Sequence, residues 1–535
     1  MLLGAPFAAA LGCGSNTRRI PEGELVDTGQ RRGHAFVRDD AGAIPRIDAW
    51  REHRVAIVGS GVAGLAAAWE LRRRGVDDVV VFELDDAIGG TARGGATAVT
   101  PYPWGAHYIV APARTNPELT ALLDELGGVE RIAADGTPVI DEALRCREPE
   151  ERVFHRGRWY EGLYLHAGES RDDVRQLAAF QREISAWAAW RDRDDRAAFA
   201  IPISRSSQAA EPAALDRISF AAWLDSKGLR SERLRWLCDY ACRDDYGLAA
   251  ADASAWAGVF YFASRQIRSG LAQPVLTWPD GNFTLIRQLA AGARIETGVA
   301  VRRVDRDGSL VATGRDGVFG VRAERVILAT PAFVADRLVD ASVAPHPSGR
   351  APTPGRLASL GVGARPRTVA DYGAWAVANV HLRSRPAERR TEPAAWDNVF
   401  RDSPSLGYVS ATHQRGREHG PTVWTWYYPF VGEAAAARAQ LAGAGYAEWA
   451  EVVLADLERA HRDVRDRVDR IEIAFWGHGM IRPRVGAMFA PERTARARPI
   501  DRIHFAHTDL SGVALFEEAF DHGLRAAREV AEAIA

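Results

Sequence analysis

The first strongly patterned stretch of the chain runs from Arg54 to Gly75, RVAIVGSGVAGLAAAWELRRRG. Four consecutive apolar residues, Val55 to Val58, predict a buried strand, and the glycines after it end that strand. Small apolar residues, Trp69 and Leu71 then continue at helical spacing until Gly75. The pattern therefore predicts a strand, a tight turn and a helix.

Helical and strand-like patterns divide the rest of the chain. Residues 172–200 and 219–247 place apolar residues at helical spacing with charged residues opposite, which predicts amphipathic helices. Residues 375–382 and 422–431 are strand-like, and residues 446–464 are again helical. The aromatic run WTWYYPF within residues 422–431 alternates as a strand would, so one face either packs in the core or lines an aromatic substrate cavity.

The glycines of the first stretch match the dinucleotide pattern G-x-G-x-x-G. Gly59 allows a tight turn, Gly61 lets a pyrophosphate approach the backbone, and Gly64 lets helix and strand pack closely. The free N–H groups at the start of the helix face the phosphates. A second strand, DVVVFE, ends in Glu83, where an acid would bind the ribose hydroxyls. The residues assigned to this turn are Gly59, Gly61, Val62, Ala63 and Gly64.

Composition narrows the functional classes. Acidic and basic residues nearly cancel, with a formal net charge of -2, so nothing in the charge indicates a nucleic-acid partner. Lys227 is the only lysine, which removes lysine from most mechanisms. Cys238 and Cys242 share a helical face, but no histidine or further cysteine lies nearby to complete a zinc site, so we predict no metal.

A second glycine motif identifies the dinucleotide. In ELDDAIGGTARGG, Gly89 and Gly90 are followed by Arg93. This stretch resembles the second phosphate motif of the flavin-containing amine oxidoreductase family, to which the phytoene desaturases are related. In that family the glycine pair and the arginine lie over the pyrophosphate of FAD, consistent with a fixed positive fork beside phosphate. The resemblance implies that the cofactor is FAD.

Further stretches resemble the same family in the same order. WGAHYI resembles the segment that passes near the flavin ring, with Gly105 allowing the close approach. ARIETGVAVRRVDRDG is predicted to be a hairpin, and Val301 matches the position that contacts the adenine through its backbone. HFAHTDLSGVALFEEAF resembles the family's C-terminal motif. There Asp509 matches the acid that binds the ribityl chain, and the last helix points towards the flavin pyrimidine.

The resemblance implies an α/β fold, with a discontinuous Rossmann-like FAD-binding domain and an inserted α+β substrate domain. The proline-rich residues 341–356 are predicted to form a surface loop between the domains. The predicted divisions are a leader and flexible lead-in (1–51), the FAD-binding domain (52–150, 282–345 and 480–535) and the substrate domain (151–281 and 346–479).

Flavin accepts the hydride itself, so the protein supplies orientation, exclusion of water and at most one base. The segments that the resemblance places at the flavin supply four candidate catalytic residues: His107, Tyr246, Trp476 and His478. His478 either transfers protons at neutral pH or is a structural histidine, and the same alternatives hold for His107. The adjacent pair Asp244 and Asp245 either binds a cationic substrate or is solvated.

Three functions follow from these observations. The first is an FAD-dependent, amine oxidase-like oxidoreductase that oxidises a C–N or C–C bond of a small organic substrate. The family's amine oxidases commonly place a lysine, through water, at the flavin N5, and the lack of a suitable lysine here counts against assuming amine oxidation. The second is a flavin-dependent isomerase or mutase without net oxidation. The third is an exported FAD-binding protein that has lost catalysis.

The first fifteen residues, MLLGAPFAAALGCGS, form a short apolar run that is too short to span a bilayer. The run resembles the end of a lipoprotein signal, in which Cys13 would become the lipidated first residue. The usual cationic segment is missing. Two expectations therefore stay open: an exported chain attached to a membrane through Cys13, or a cytoplasmic chain with a disordered N-terminus.

Overall fold

The computed structural model describes residues 20–38, 47–266, 273–340, 371–388, 392–417 and 419–535. The predicted leader with Cys13 and the predicted loop 341–356 lie outside these residues.

The strand and the helix predicted from the first glycine motif are both present, as β2 and α2. The strand lies near the centre of a seven-stranded sheet. The strand order is β12-β3-β2-β15-β14-β13, and β21 pairs with β15. Strands β12, β3, β2, β15 and β21 are parallel to their neighbours, and β14 and β13 extend the sheet as antiparallel strands. The strands are β2 (Trp50–Val58), β3 (Val79–Phe82), β12 (Arg294–Glu296), β13 (Ala300–Val304), β14 (Ser309–Gly314), β15 (Gly317–Leu328) and β21 (Ile503–Phe505).

Helices cover this sheet, and the last helix packs on the helix of the first glycine motif. The helices α2 and α15 pack so closely that a Cβ built at Gly523 would lie 2.3 Å from the carbonyl oxygen of Ala63. Small residues of the glycine motif therefore serve helix packing as well as the turn. The helices of this part are α2 (Val62–Arg73), α3 (Pro117–Glu125), α9 (Phe283–Ala290), α10 (Ala332–Asp340) and α15 (Phe516–Ile534).

A second sheet of eight strands has the order β1-β20-β16-β19-β18-β17-β9-β10. One face of its long central strands packs against helices in an aromatic core that contains Trp424, Trp426 and Trp449. The strands are β1 (Glu22–Val26), β9 (Glu151–His155), β10 (Arg158–Glu161), β16 (Tyr372–Leu382), β17 (Asp397–Phe400), β18 (Gly407–Ser410), β19 (Thr422–Phe430) and β20 (Val468–Ile481). The helices near it are α11 (Ala434–Ala442), α12 (Tyr446–Leu457) and α13 (Val464–Arg467).

The insert between β10 and α9 is largely helical, as its periodicity predicts. Phe220, Trp223 and Trp256 form part of the core that these helices share. The helices are α4 (Arg171–Ala189), α5 (Ala210–Ala214), α6 (Phe220–Ser226), α7 (Glu232–Tyr246) and α8 (Ala255–Ala263). The remaining elements are α1 (Gln30–Arg38), α14 (Pro491–Ala495) and the short pairs β4 (Gly94–Ala96) with β5 (Pro101–Pro103), β6 (Tyr108–Val110) with β11 (Val275–Thr277), and β7 (Val129–Ile132) with β8 (Pro138–Ile140).

Two expectations differ from the structure. The lead-in before residue 52 contains ordered elements, because the backbone of β1 pairs with β20 and the α1 helix follows it. The stretch predicted as one hairpin, residues 293–308, is divided differently. Its first strand, β12, pairs with β3, and the hairpin that contains Val301 is formed by β13 and β14. Within the described ranges, no helix is long and apolar enough to cross a membrane.

Candidate active site

The first glycine turn has the geometry that a dinucleotide needs. Gly59 has a φ of +102°, and a Cβ there would lie 2.6 Å from the carbonyl oxygen of Ala329. At Gly64 a Cβ would lie 1.9 Å from the carbonyl oxygen of Gly59, so only glycine fits. At Gly61 a Cβ would meet nothing within 4 Å. The backbone at Gly61 therefore borders open space, next to the start of α2 at Val62 and Ala63, where Gly61 provides no side-chain cap.

Glu83 lies at the carboxyl end of β3, directly beside this turn. Its Oε2 atom accepts hydrogen bonds from the backbone N–H of Ser60 at 2.8 Å and from its hydroxyl at 2.7 Å. Its Oε1 atom accepts one from the N–H of Asp85 at 2.9 Å. Because a carboxylate has about four lone-pair sites, one remains for a ligand hydroxyl on Oε1. Glu83 thus both shapes the turn and retains capacity to bind a ribose.

The second glycine motif packs against the first. The N–H of Gly89 donates to the carbonyl oxygen of Ser60 at 2.9 Å, and Gly89 and Gly90 both have positive φ. Arg93 is buried and pairs with Asp85, with 2.6 Å between Nη1 and Oδ2. The predicted phosphate-binding arginine therefore lies beside the turn, and its partner there is an acid.

Asp509 lies after β21 and lines the same cavity as Thr330, which is next to the first glycine turn. Its Oδ2 accepts hydrogen bonds from the N–H of Ala332 and from the hydroxyl of Tyr372. Its Oδ1 lies 2.9 Å from a ring nitrogen of His507. Burial acts to raise the pKa of Asp509, but His507 and the hydrogen bonds outweigh it and lower the pKa below its usual range. Asp509 is therefore held as a carboxylate.

Thr330 supports the fit of a polar ligand beside Asp509. Its hydroxyl is buried and has no hydrogen-bond partner within the described part of the chain. Thr330 and Asp509 line one cavity at the carboxyl ends of β15 and β21, where ligands bind in open α/β sheets. An unpaired buried hydroxyl, a carboxylate and the open space at Gly61 fit a group with hydroxyls and phosphates. The donor set is that expected for FAD.

Val301 lies in β13 opposite Ala312. Just before it, the N–H of Val299 donates to the carbonyl oxygen of Glu83 at 2.8 Å. The segment predicted to contact the adenine is therefore adjacent to the predicted ribose acid. The role of Val301 itself stays a prediction.

The WGAHYI stretch connects the cofactor groove with an aromatic wall. A Cβ at Gly105 would lie 2.1 Å from the carbonyl oxygen of Thr91, so the glycine is needed to pack this stretch on the second motif. The carbonyl oxygen of Gly105 accepts a hydrogen bond from the Tyr427 hydroxyl at 2.9 Å. His107 stacks on Tyr427, with ring centroids 4.8 Å apart, and contacts Trp396. Burial lowers the pKa of His107 to about 4, so its ring is neutral at neutral pH.

A group of acids, one buried and three half-buried, lies next to this wall. We call Glu151, Asp244, Asp245 and Asp397 the acidic cluster. Glu151 and Asp397 are directly paired positions of β9 and β17. The Tyr240 hydroxyl donates to Asp397 at 3.3 Å, and Asp244 follows Tyr240 by one turn of α7. The cluster therefore combines two strands and a helix.

The charges of two arginines, Arg265 and Arg243, act on the acidic cluster. Arg265 pairs with Asp245 at 2.6 Å, and the Tyr108 hydroxyl donates to the same carboxyl at 3.2 Å. Burial raises the pKa of Asp244 to about 7, assisted by the negative charge of Asp245. Burial also raises the pKa of Glu151 to about 7 and that of Asp397 well above its usual range. At neutral pH, Glu151, Asp244 and Asp397 are therefore either protonated or ionised at a cost in free energy, and a further cation would remove that cost.

Two predictions from the sequence need correction. Tyr246 does not face the site: it is fully buried in the helical core, and its hydroxyl donates to the carbonyl oxygen of Ala257 at 2.9 Å. Neighbouring positions on a helix point about 100° apart, so Asp245 faces Tyr108 while Tyr246 faces the core. The pair Asp244 and Asp245 is not solvated, since Asp245 is buried and Asp244 is half-buried.

The remaining candidates lie on β20. Trp476 donates from its Nε1 to the carbonyl oxygen of Trp104 at 2.9 Å, so it contacts the stretch predicted to pass near the flavin. His478 lies beside Phe333 and Tyr372, near Asp509. Burial lowers the pKa of His478 to about 4, as it does for His107, so both rings are neutral at neutral pH. The catalytic roles of His107, Trp476 and His478 stay predictions.

Lys227 lies away from this site. It pairs with Glu183 at 2.7 Å between α6 and α4, and its side chain is 37% exposed.

Sequence reasoning did not identify Glu151, Asp397 or Arg265, because they lie far apart along the chain. The sequence offers one signal for Asp397, a polar residue at the start of an apolar strand. Many surface loops have the same pattern, so the signal does not identify a site. In the described ranges, no group of three or more His, Cys, Asp or Glu side chains could hold a metal ion.

Curated relatives resemble parts of the chain. A Mycobacterium tuberculosis protein, AofH, named as a flavin-containing monoamine oxidase, is 28% identical over 273 residues, which cover 49% of this chain and 53% of AofH. The chain therefore spans about half the length of this curated relative. Protoporphyrinogen oxidase 2 of Arabidopsis thaliana is 42% identical over 106 residues, covering 18% of this chain and 20% of the relative.

Solved structures share the fold over nearly the whole chain. A putrescine oxidase solved with putrescine is 19% identical with a TM-score of 0.61, covering 90% of this chain and 99% of that one. A fatty acid isomerase from P. acnes is 17% identical with a TM-score of 0.60, covering 89% and 98%. The family model described as flavin containing amine oxidoreductase matches residues 62–531. The chain belongs to the flavin-containing amine oxidoreductases, a family of FAD-dependent enzymes.

Proposed function

We propose that the chain oxidises the C–N bond of a small organic amine that binds as a cation. The observation that carries this proposal is the acidic cluster next to the aromatic wall of His107, Trp396 and Tyr427. FAD, when bound, supplies the acceptor for the two electrons and the hydride. The residues of the chain bind the amine, exclude water and accept the proton of its ammonium group.

Charge favours a cationic substrate. The paired carboxyls of Glu151 and Asp397 repel one another when both are ionised, and burial disfavours that charge further. A bound ammonium group relieves both effects, because an opposite charge within about 4–6 Å lowers the pKa of a carboxyl. Arg265 forms its ion pair with Asp245, and Arg265 and Arg243 act on Asp244 through charge, so the Asp244 carboxyl can still pair with the substrate.

Aromatic side chains give the cation a second type of contact. Tyr427 and Trp396 flank His107, and ring faces attract cations when water is excluded. The carbonyl oxygen of Gly105 lies 3.2 Å from Nδ1 of His107, so the neutral ring donates from Nδ1 and presents Nε2 as an acceptor. His107 therefore suits hydrogen bonding to an amine better than it suits general-base catalysis.

Amine oxidation requires loss of a proton from the ammonium form of the substrate. Asp244 is suited to accept it, because a carboxyl with a pKa of about 7 can both take up and release a proton near neutral pH. This assignment does not need a lysine. It is consistent with the position of Lys227 in a surface ion pair.

A flavin-dependent isomerase is the alternative that the fold of the P. acnes neighbour raises. The acidic cluster distinguishes the two functions, because buried acids repel a substrate with a carboxylate. An uncharged C–C substrate would gain nothing from the paired acids Glu151 and Asp397.

The test is anaerobic reduction of the FAD-loaded protein by a matched set of compounds. The set contains 1,4-diaminobutane, benzylamine, benzyl alcohol and linoleate. We expect the amines to bleach the flavin absorbance and the other two compounds to leave it unchanged. Bleaching by benzyl alcohol, or isomerisation of linoleate without any amine reduction, would contradict amine oxidation.

A further inference from the structure

The segment before the first glycine motif, residues 20–38, is fixed to the second sheet at its beginning. Its strand β1 runs parallel to β20, with Glu22 to Val26 opposite Arg470 to Ala474. The Thr28 hydroxyl then donates to the carbonyl oxygen of Phe475 at 3.1 Å. We call residues 20–38 the strap.

The helix α1 of the strap lies against one wall of the cofactor groove. Nη1 of Arg32 donates to the carbonyl oxygen of Leu84 at 2.5 Å, and its guanidinium lies 3.4 Å from the Asp86 carboxylate. A Cβ at Gly33 would lie 3.4 Å from Leu84. Leu84 and Asp86 directly follow the ribose acid Glu83. The strap therefore contacts the adenosine end of the groove.

The residues before this helix reach the other wall. The Thr28 hydroxyl donates to the carbonyl oxygen of Phe475, and His478 lies three residues further along β20. The ring of His478 contacts Tyr372, and Tyr372 donates to the carboxylate of Asp509. Asp509 is the acid predicted to bind the ribityl chain. The strap thus spans the groove from the ribose acid to the region of Asp509.

Charge makes the strap complementary to a dinucleotide. The α1 sequence, QRRGHAFVR, contains three arginines and no acidic residue. The diphosphate of FAD is anionic, and cations near phosphates favour binding.

We propose that the strap closes the FAD groove and slows the release of the cofactor, and that Arg32 holds the strap in place. The proposal rests on FAD being the cofactor of this chain. Arg32 positions the strap through Leu84 and Asp86 and takes no part in the chemistry.

The experiment measures the rate of FAD release from the full chain, followed by the fluorescence of free FAD after dilution. Arg32→Ala removes the contacts with Leu84 and Asp86, and Arg31→Ala is the matched control. Arg31 is the neighbouring arginine of the same helix and is exposed. The two variants lose the same charge and gain the same helix-forming residue. A second measurement is amide hydrogen exchange of residues 30–38 in the wild-type chain with and without FAD.

We expect Arg32→Ala to release FAD about five-fold faster, as expected for loss of a half-exposed charged hydrogen bond, and Arg31→Ala to change the rate less than two-fold. FAD should also slow exchange in residues 30–38. Equal release rates for both variants, or exchange that FAD does not affect, would overturn the proposal. Slower release from Arg32→Ala would show that the strap competes with the cofactor. A wild-type chain that takes up no FAD would overturn the cofactor assignment together with the strap.

Discussion

Substitution of Gly61 by alanine separates cofactor binding from folding. Gly61 has φ −70° and ψ −177°, which alanine adopts without strain, and a Cβ there would meet nothing within 4 Å. The fold should therefore tolerate Gly61→Ala with a change below about 0.5 kcal/mol in the free energy of unfolding. The added methyl group would occupy the space through which a pyrophosphate approaches the backbone.

Gly64→Ala is the matched comparison. Its Cβ would lie 1.9 Å from the backbone oxygen of Gly59, so the turn must move by about 1.5 Å to restore ordinary contact. Overpacking of this kind costs about 1–3 kcal/mol. We expect Gly64→Ala to lower the melting temperature of the cofactor-free protein by several degrees, and Gly61→Ala to leave it unchanged.

The same overpacking energy applies to Gly61→Ala when FAD binds, since the methyl group then meets phosphate oxygens. A loss of about 1–3 kcal/mol raises the Kd about 5- to 150-fold. The assay is titration of the cofactor-free variants with FAD, followed by flavin fluorescence, beside thermal unfolding without FAD. Unchanged FAD affinity in Gly61→Ala would refute the reasoning, because the diphosphate would then not approach the backbone at this glycine.

Three further predictions address separate parts of the site. Glu83→Gln should weaken FAD binding by about ten-fold in the same titration, because an amide accepts on one atom only and cannot accept the three hydrogen bonds of the turn together with one from a ribose hydroxyl; unchanged binding would contradict the assignment of Glu83 to the ribose. Asp244→Asn should raise KM for a cationic amine about ten-fold and remove the fall in affinity that we expect below pH 7, where Asp244 is protonated, whereas Asp239→Asn on the same helix should change neither. Because the folded-state pKa of Asp244 is raised, its contribution to stability is full below the unfolded pKa of about 4 and is lost as pH rises through about 7, so Asp244→Asn should raise the melting temperature of the substrate-free protein more at pH 8 than at pH 5; a lower melting temperature at pH 8 would contradict the burial of this carboxyl. Tyr246→Phe should leave kcat and KM unchanged and lower the free energy of unfolding by about 1 kcal/mol, since it removes the hydrogen bond to Ala257, and a large fall in kcat would return Tyr246 to the site.

The glycine turn could be predicted from the sequence because its constraints are local. Gly59 needs a positive φ and Gly64 needs contact with a backbone oxygen five residues before it, so both requirements fall within one short motif. The family resemblance added the second motif, which packs against the first turn, and Asp509, which lines a cavity with Thr330 beside that turn. Local chemistry and chain order were sufficient for these residues.

The substrate side could not be predicted in the same way. Glu151 and Asp397 meet only because β9 pairs with β17 across hundreds of residues of sequence. No spacing rule connects such positions, and a carboxyl near an apolar strand is ordinarily solvated. Tyr246 illustrates the opposite error: it is adjacent to the site in sequence but faces away from it, because its helix turns by about 100° per residue.

The strap was missed for a third reason. Its strand, EGELV, has little apolar pattern, because it lies at the edge of the sheet and its backbone provides the pairing with β20. Patterns of side chains predict elements that bury side chains. They do not predict an edge strand that is held through its N–H and C=O groups.

The central claim is that this chain holds FAD in the groove between the Gly61 turn and Asp509. The most direct test is the visible spectrum of the purified full-length protein before and after heat denaturation, with the released compound identified by mass. We predict flavin absorbance that moves to the supernatant as FAD, at one FAD for each chain. A colourless protein that cannot be reconstituted with FAD would contradict the account.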